Sequence, residues 1–219
     1  MSLQSQILID NQWVNASNGA QFERRHPVSN EVITQSAAAG VVDAKLAAES
    51  AAAAYKTWKR SAPSERRRLL LKTADFLEQK KPQIIEVMAA VVGASALWAG
   101  FNVFLAANVF REAASLATQI QGETLPTDKP GALSMTLRQP VGGILSIVPW
   151  NGTVVLAARA IAYPIVCGNT VVFRGSEASP KTHALIAETL VEAGFPPGVL
   201  NYLSNAPQDA PEVVESLIA

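Results

Sequence analysis

Few side chains in this sequence are reactive enough to do chemistry on their own. Cys167 is the only thiol in 219 residues, and His26 and His183 are the only imidazoles. A nucleophilic thiol needs an activating imidazole or a helix N-terminus to hold it as thiolate. Cys167 instead closes the apolar run Thr153 to Cys167, at the helix end whose dipole disfavours an anion. The two histidines have no partner at ligand spacing, so no metal site is expected. The sequence has no Gly-rich loop ending in Lys-Ser or Lys-Thr, which removes support for an ATPase. The remaining polar groups of interest follow short apolar runs: Asn151 after Pro149-Trp150, and Arg174 and Glu177 after Val171 to Phe173.

The elements that must position them can be read from spacing. Ile144 to Val148 has strand length and β-branched content, and Pro149 forbids its continuation as an inner strand. Val154, Val155, Ala158, Ile161, Ala162 and Ile165 recur at helical spacing, with Gly168 as the stop. Thr170 to Phe173 is a second strand. Strand, helix and strand within about 30 residues form a right-handed parallel crossover, and open α/β sheets bind ligands at the carboxyl ends of such strands.

Around this crossover, Ile7 to Ile9 and Gln12 to Val14 read as a hairpin turning at Asp10-Asn11. Phe22 to Arg25 and Val32 to Gln35 flank a second turn at Pro27 to Asn30, and these short strands are expected to be antiparallel. A helix follows Val41, capped by Asp43, with Leu46, Ala53, Ala54 and Trp58 near one face. Ser61 and Pro63 open another, with Leu69, Leu70, Thr73, Phe76 and Leu77 as its stripe, and Pro82 ends it or begins the next. Ile84 to Gln121 is helical in more than one piece. The loop from Gly122 to Gly131 is the expected junction between an N-terminal part, 1–130, and a cofactor-type part, 131–219. Leu133 to Arg138 alternates like a strand, Lys181 to Ala193 is an amphipathic helix, Val199 to Leu203 is a third strand, and a last helix starts near Pro211. The fold class is therefore α/β: a Rossmann-like parallel sheet with flanking helices, preceded by short antiparallel strands and a helical segment.

The 18 basic and 18 acidic side chains cancel, which gives no case for a nucleic-acid partner. Lys59, Arg60, Arg66, Arg67 and Arg68 are read as a solvated helix face. The single cysteine suits a reducing, cytoplasmic compartment, and Met1 to Gln6 lacks the pattern of a signal peptide. The uncharged run Val87 to Phe110 has only modest hydrophobicity and reads as a helix buried in the core rather than a membrane span.

The segments PVGGILSIVPWN, AIAYPIVCGNTVVF, SEASP and EAGFPPGVLNYL, in this order and spacing, resemble the aldehyde dehydrogenase superfamily, and most of all its members acting on aromatic aldehydes of the salicylaldehyde type. The resemblance implies a nicotinamide cofactor and a three-step reaction: thiolate attack on the aldehyde, hydride transfer, and hydrolysis of the thioester by a glutamate-activated water. Asn151 would offer its side-chain amide to the oxyanion, where residue chemistry alone leaves a helix cap equally open. Ile147, Val148, Pro149 and Trp150 would lie along the cofactor. Arg174 stands where the family has a ribose-binding lysine, and Glu177 matches a carboxylate that accepts ribose hydroxyls. That carboxylate favours NAD over NADP, which the arginine leaves possible. On residue chemistry alone, Glu177 and Lys181 read as a solvated helix pair.

Gly152 replaces a bulky aromatic of many relatives and would widen the substrate tunnel. Arg159, further along the same helix, would meet an anionic or phenolic substrate oxygen, with a structural salt bridge as the alternative for a buried arginine. The family carries a small buried residue at Cys167, and its nucleophile and base come later in the sequence. The resemblance thus implies an incomplete aldehyde dehydrogenase fold, inactive alone, whose open parallel edge beside Ile144 to Val148 and Val199 to Leu203 invites association, including with a full-length relative. The other reading is a non-catalytic remnant that serves as a binding or interaction module.

Overall fold

The computed structural model describes residues 3–218. The chain begins with Leu3–Ser5 (β1), Ile7–Ile9 (β2), Gln12–Val14 (β3), Gln21–Arg25 (β4) and Val32–Ala37 (β5). Four helices follow: Val41–Trp58 (α1), Pro63–Gln79 (α2), Lys81–Val92 (α3) and Ala96–Leu116 (α4). A short ribbon of Thr124–Leu125 (β6) and Ser134–Met135 (β7) leads to the crossover. This comprises Gly143–Ile147 (β8), Thr170–Arg174 (β9) and Leu200–Leu203 (β10), with Thr153–Val166 (α5) and Pro180–Ala193 (α6) between them and Ala210–Ile218 (α7) at the end.

β8, β9 and β10 are parallel, with Ile144 opposite Val171 and Leu200 opposite Val171 on the other side. Their spatial order, β10-β9-β8, is one half of a doubly wound sheet, whose ligand crevice opens outside the carboxyl end of β8. Asp10 and Asn11 take φ of 53° and 60°, the left-handed pair that a two-residue hairpin turn requires. The expected β2–β3 hairpin forms, and it does more than the sequence suggested: Leu8 lies opposite Tyr202, so the hairpin pairs with β10 and completes a sheet ordered β3-β2-β10-β9-β8. The expectation that Val199 to Leu203 is uncovered is therefore wrong. All four residues of β10 are buried, and of the three parallel strands only β8 lacks a neighbour on one side among the described residues.

β4 and β5 pair antiparallel as expected, but β1 joins β5 in parallel, a third strand that the polar start of the chain did not signal. The uncharged stretch is not one helix. Gly93, at φ 69°, ends α3, and the Ser95 hydroxyl accepts the Trp98 N–H (3.2 Å) to cap α4. No described helix is long and apolar enough to cross a membrane. α4 packs on α2 and α5, and one core runs from Leu8 through Leu70, Phe110, Ile161 and Phe173 to Tyr202, joining residues from both sides of the Gly122–Gly131 loop.

Two polar residues fix the crossover. Arg66 is not on a solvated face: it is buried, and its guanidinium donates to the carbonyls of Val166, Trp58, Lys59 and Ser61, tying the ends of α5 and α1 together. The Val166, Trp58 and Lys59 carbonyls lie at two helix C-termini, which suit a cation. Asn169 accepts the Val141 and Gly142 N–H groups (2.7 and 3.1 Å) and donates to the Pro164 carbonyl (3.2 Å). It thereby clamps the start of β8 to the end of α5.

Candidate active site

At the carboxyl end of β8, Val148 turns inward and its N–H donates to the Arg174 carbonyl (3.3 Å), while Ile147, Pro149, Trp150 and Asn151 are exposed. Pro149 stops the ladder, and the Thr153 hydroxyl donates to the Trp150 carbonyl, closing the turn into α5. The capping position of α5 is Gly152, without a side-chain cap. Asn151 is thus not the helix cap that residue chemistry left open. Its side-chain amide has no hydrogen-bond partner among the described residues, and its carbonyl accepts from Trp98 Nε1 (3.3 Å).

That last contact brings α4 to the site. Leu97, Trp98, Phe101 and Phe104 form an exposed apolar stripe along it, and Ser95, Leu97, Trp98 and Phe101 line a concavity of about 330 Å³. Trp98 and Phe101 are tilted rings 6.0 Å apart. The expectation of a helix buried in the core therefore holds for one face of α4 only. The missed signal was large apolar side chains three or four positions apart on a helix whose buried face is mostly Ala, which marks a second apolar face.

A Cβ on Gly152 would lie 3.2 Å from Leu156 Cδ1 and 3.3 Å from Val155 Cγ1, so its own helix crowds that position. Arg159 lies about 10 Å further along α5. It is exposed and has no ion pair among the described residues, so the expectation of a buried arginine is overturned, and with it the salt bridge. α5 is covered by α4 and α6 but leaves the flank of Leu156, Arg159, Ala160 and Tyr163 partly open.

At the end of β9, Arg174 is buried and held twice: Nε donates to Asn205 Oδ1 (2.8 Å), and Nη2 donates to Glu177 Oε2 (3.0 Å). Glu177 therefore pairs with Arg174 rather than with Lys181, whose side chain lines a separate cleft with Gln4, Gln6 and Trp13. The second oxygen, Glu177 Oε1, has no partner among the described residues.

Cys167 caps the far end of α5 and is exposed, not buried as the family pattern implied. A helix of 14 residues separates it from Asn151 by about 21 Å, too far for both to act on one carbonyl. His26 accepts the N–H groups of Val28 and Ser29 (3.2 and 3.1 Å) in the β4–β5 turn, a structural task. His183 is fully buried, and burial foremost, reinforced by the charge of Arg174, pushes its pKa down to about 3. No cluster of potential metal ligands occurs among the described residues.

An open three-strand parallel unit with a free amide and an ion-paired carboxylate at the ends of adjacent strands is the first half of a doubly wound α/β ligand site. Residues 13–219 match the model of the aldehyde dehydrogenase family, and the chain belongs to that family. It is 66% identical over 217 residues to a salicylaldehyde dehydrogenase of Pseudomonas sp. (strain C18), covering 99% of this chain and 45% of that protein. It is 50% identical over 213 residues to a vanillin dehydrogenase of Pseudomonas sp. (strain HR199 / DSM 7063), covering 97% and 44%. The structure superposes with a TM-score of 0.98 on a salicylaldehyde dehydrogenase from Pseudomonas putida G7 complexed with salicylaldehyde, at 67% identity, covering 99% of this chain and 45% of that one. The chain thus spans less than half the length of these relatives.

Proposed function

We propose that these residues form the nicotinamide-binding half of an enzyme that oxidises an aromatic aldehyde to its carboxylic acid. The observation that carries this reading is the free amide of Asn151 at the carboxyl end of β8, beside the aromatic stripe of α4 and next to the Arg174–Glu177 pair. When bound, the cofactor would accept hydride from the substrate carbon. Ile147, Val148, Pro149 and Trp150 would lie along it, and Glu177 Oε1 would accept a ribose hydroxyl while Arg174 holds the other oxygen.

The fit is physical. A carboxylate with one oxygen paired and one free can receive a hydroxyl donor, and it repels a 2′-phosphate, which favours NAD over NADP. Asn151 would donate to the oxyanion through its free side-chain amide, its main chain held by Trp98. Trp98 and Phe101 would stack along an aromatic ring. The absence of a side chain at Gly152 would leave room for a ring substituent, and Arg159 on the open flank of α5 would face a phenolic or carboxylate oxygen. Residues 1–130 brace the partial cofactor domain of residues 131–219, in the reducing, cytoplasmic setting that a lone free thiol suits.

By itself the 219-residue chain would bind rather than turn over, because its only thiol lies about 21 Å from Asn151. Nucleophile and base would come from residues other than these, brought against the open edge of β8, whether in one polypeptide or in association with a full-length relative. A binding module without activity is the reading that this distance favours for the isolated chain. Calorimetric titration of the chain with NAD and with NADP, alongside thermal unfolding, tests the proposal. Saturable NAD binding that raises Tm supports it. Absence of binding, or aldehyde-dependent NADH formation by the purified chain, defeats the corresponding half.

A further inference from the structure

His183 has no part in the reading above, yet its ring lies where the two turns of the site meet. It stands in the first turn of α6, fully buried, edge-on to Phe173 of β9 with ring centroids 5.1 Å apart. Its Nδ1 accepts the N–H of Ser176 (3.1 Å), the residue directly before Glu177. The turn is pressed against the ring: a Cβ on Gly175 would lie 2.8 Å from His183 Nδ1 and 2.8 Å from Tyr202 Cε2. Only glycine lets the backbone approach so closely, so Gly175 and His183 are fitted to each other.

The neighbouring bonds anchor the ends of the turn and leave the Ser176 N–H to the imidazole. The Gly175 N–H donates to the Leu203 carbonyl (3.0 Å), the Ser179 N–H to the Ser176 carbonyl (3.0 Å), and the Tyr202 hydroxyl to the Pro180 carbonyl (2.8 Å). On its other side, the imidazole Nε2 is buried without a hydrogen bond in ideal geometry and faces the backbone of Thr153, in the first turn of α5. Arg174 of β9 and Tyr202 of β10 are the titratable groups around the ring.

We propose that His183 is a positioning residue for the cofactor ribose: by accepting the Ser176 N–H it fixes the Gly175–Glu177 turn and thereby aims the Glu177 carboxylate. This rests on the cofactor reading and adds a residue to it that touches no ligand. Without the acceptor, a buried N–H is left unpaired, and the turn must shift to reach another. Asparagine can place its amide oxygen where Nδ1 stands. Leucine offers no acceptor, and glutamine reaches the position of Nε2 instead.

The test is calorimetric titration of the 219-residue chain with NAD and with its 2′-deoxyadenosine analogue, which lacks the hydroxyl assigned to Glu177. Wild type should bind NAD about tenfold tighter than the analogue, a ratio of the size expected for one hydrogen bond to a charged group. His183→Leu should bring that ratio to about one, and His183→Asn should restore most of it. Loss of packing alone would weaken both ligands together and leave the ratio unchanged. Should His183→Leu not fold in thermal unfolding, His183→Gln makes the same comparison. A wild-type ratio that persists in the folded Leu or Gln variant overturns the positioning role and spares the cofactor reading. A wild type that does not distinguish the two ligands overturns both.

Discussion

The buried imidazole makes a quantitative statement about acid sensitivity. In the folded chain His183 has a pKa of about 3, chiefly because burial penalises the charged ring, against 6.5 when exposed. Between those values the unfolded chain binds a proton that the folded chain refuses. Stability from this group is therefore complete above pH 6.5 and falls as the pH drops through the window toward 3. At pH 5 the deficit is 1.5 pH units below the unfolded value, or about 2 kcal/mol at 1.36 kcal/mol per unit. The assay is urea unfolding of wild type and His183→Asn at pH 7.5 and pH 5. Every other ionisable group is common to the two proteins, so the comparison isolates the contribution of His183. The stability advantage of wild type over the variant should shrink by about 2 kcal/mol at pH 5. A gap that stays constant across the range would refute the reasoning, because it would mean that the folded state takes up the proton freely.

Other substitutions probe the fold and site separately. Gly175→Ala drives a methyl group to 2.8 Å from both His183 and Tyr202 and should cost about 1–3 kcal/mol in chemical denaturation. Arg66→Met leaves the C-terminal carbonyls of α1 and α5 without their shared donor and should cost about 2–4 kcal/mol, read by the same method. Asn151→Ala, at a side chain with no partner among the described residues, should change stability by no more than about 0.5 kcal/mol, and a larger loss would show that the amide has a structural task. Glu78 is hydrogen-bonded to Arg111, which holds its carboxyl below the usual range, so its contribution is present above the ordinary carboxylate pKa and lost as acid protonates it. Glu78→Gln should therefore flatten the acid limb of a stability–pH curve slightly.

What could be read in the sequence was local. The crossover followed from an apolar run stopped by Pro149, a 3.6-residue rhythm ending at Gly168, and a second short run; the structure has all three within a residue or two. The Asp10-Asn11 turn could be read because only left-handed residues close such a hairpin. What escaped was pairing between distant segments. Nothing in Ile7 to Ile9 says that it will lie beside Tyr202, and nothing in Arg66 says that its guanidinium will reach Val166. Arg159 misled for a related reason: its neighbours in sequence are apolar, but the flank it occupies is the one that α4 and α6 leave open. At the site, Asn151, Arg174 and Glu177 were reached through their resemblance to family motifs, whereas the Trp98 contact and the Asn205 support needed coordinates.

The pairing of the N-terminal hairpin also changes what the open edge means. With β2 on β10, the sheet is closed on one side by the chain's own first residues, and α1 and α6 pack against β10. Among the exposed apolar side chains, Ile147 and Trp150 beyond β8 and the α4 stripe from Leu97 to Phe104 lie together at the site. Side chains there make no contribution to the core that holds Phe173 and Tyr202. Polar substitution at Ile147 should accordingly leave the unfolding midpoint within about 0.5 kcal/mol of wild type. If the β8 edge drives association, the same substitution, a lysine at that strand edge, should shift the chain toward monomer in sedimentation velocity. A large loss of stability on Ile147→Lys would show instead that the edge is part of the folding core, and the separation of core from site argued from burial would fail.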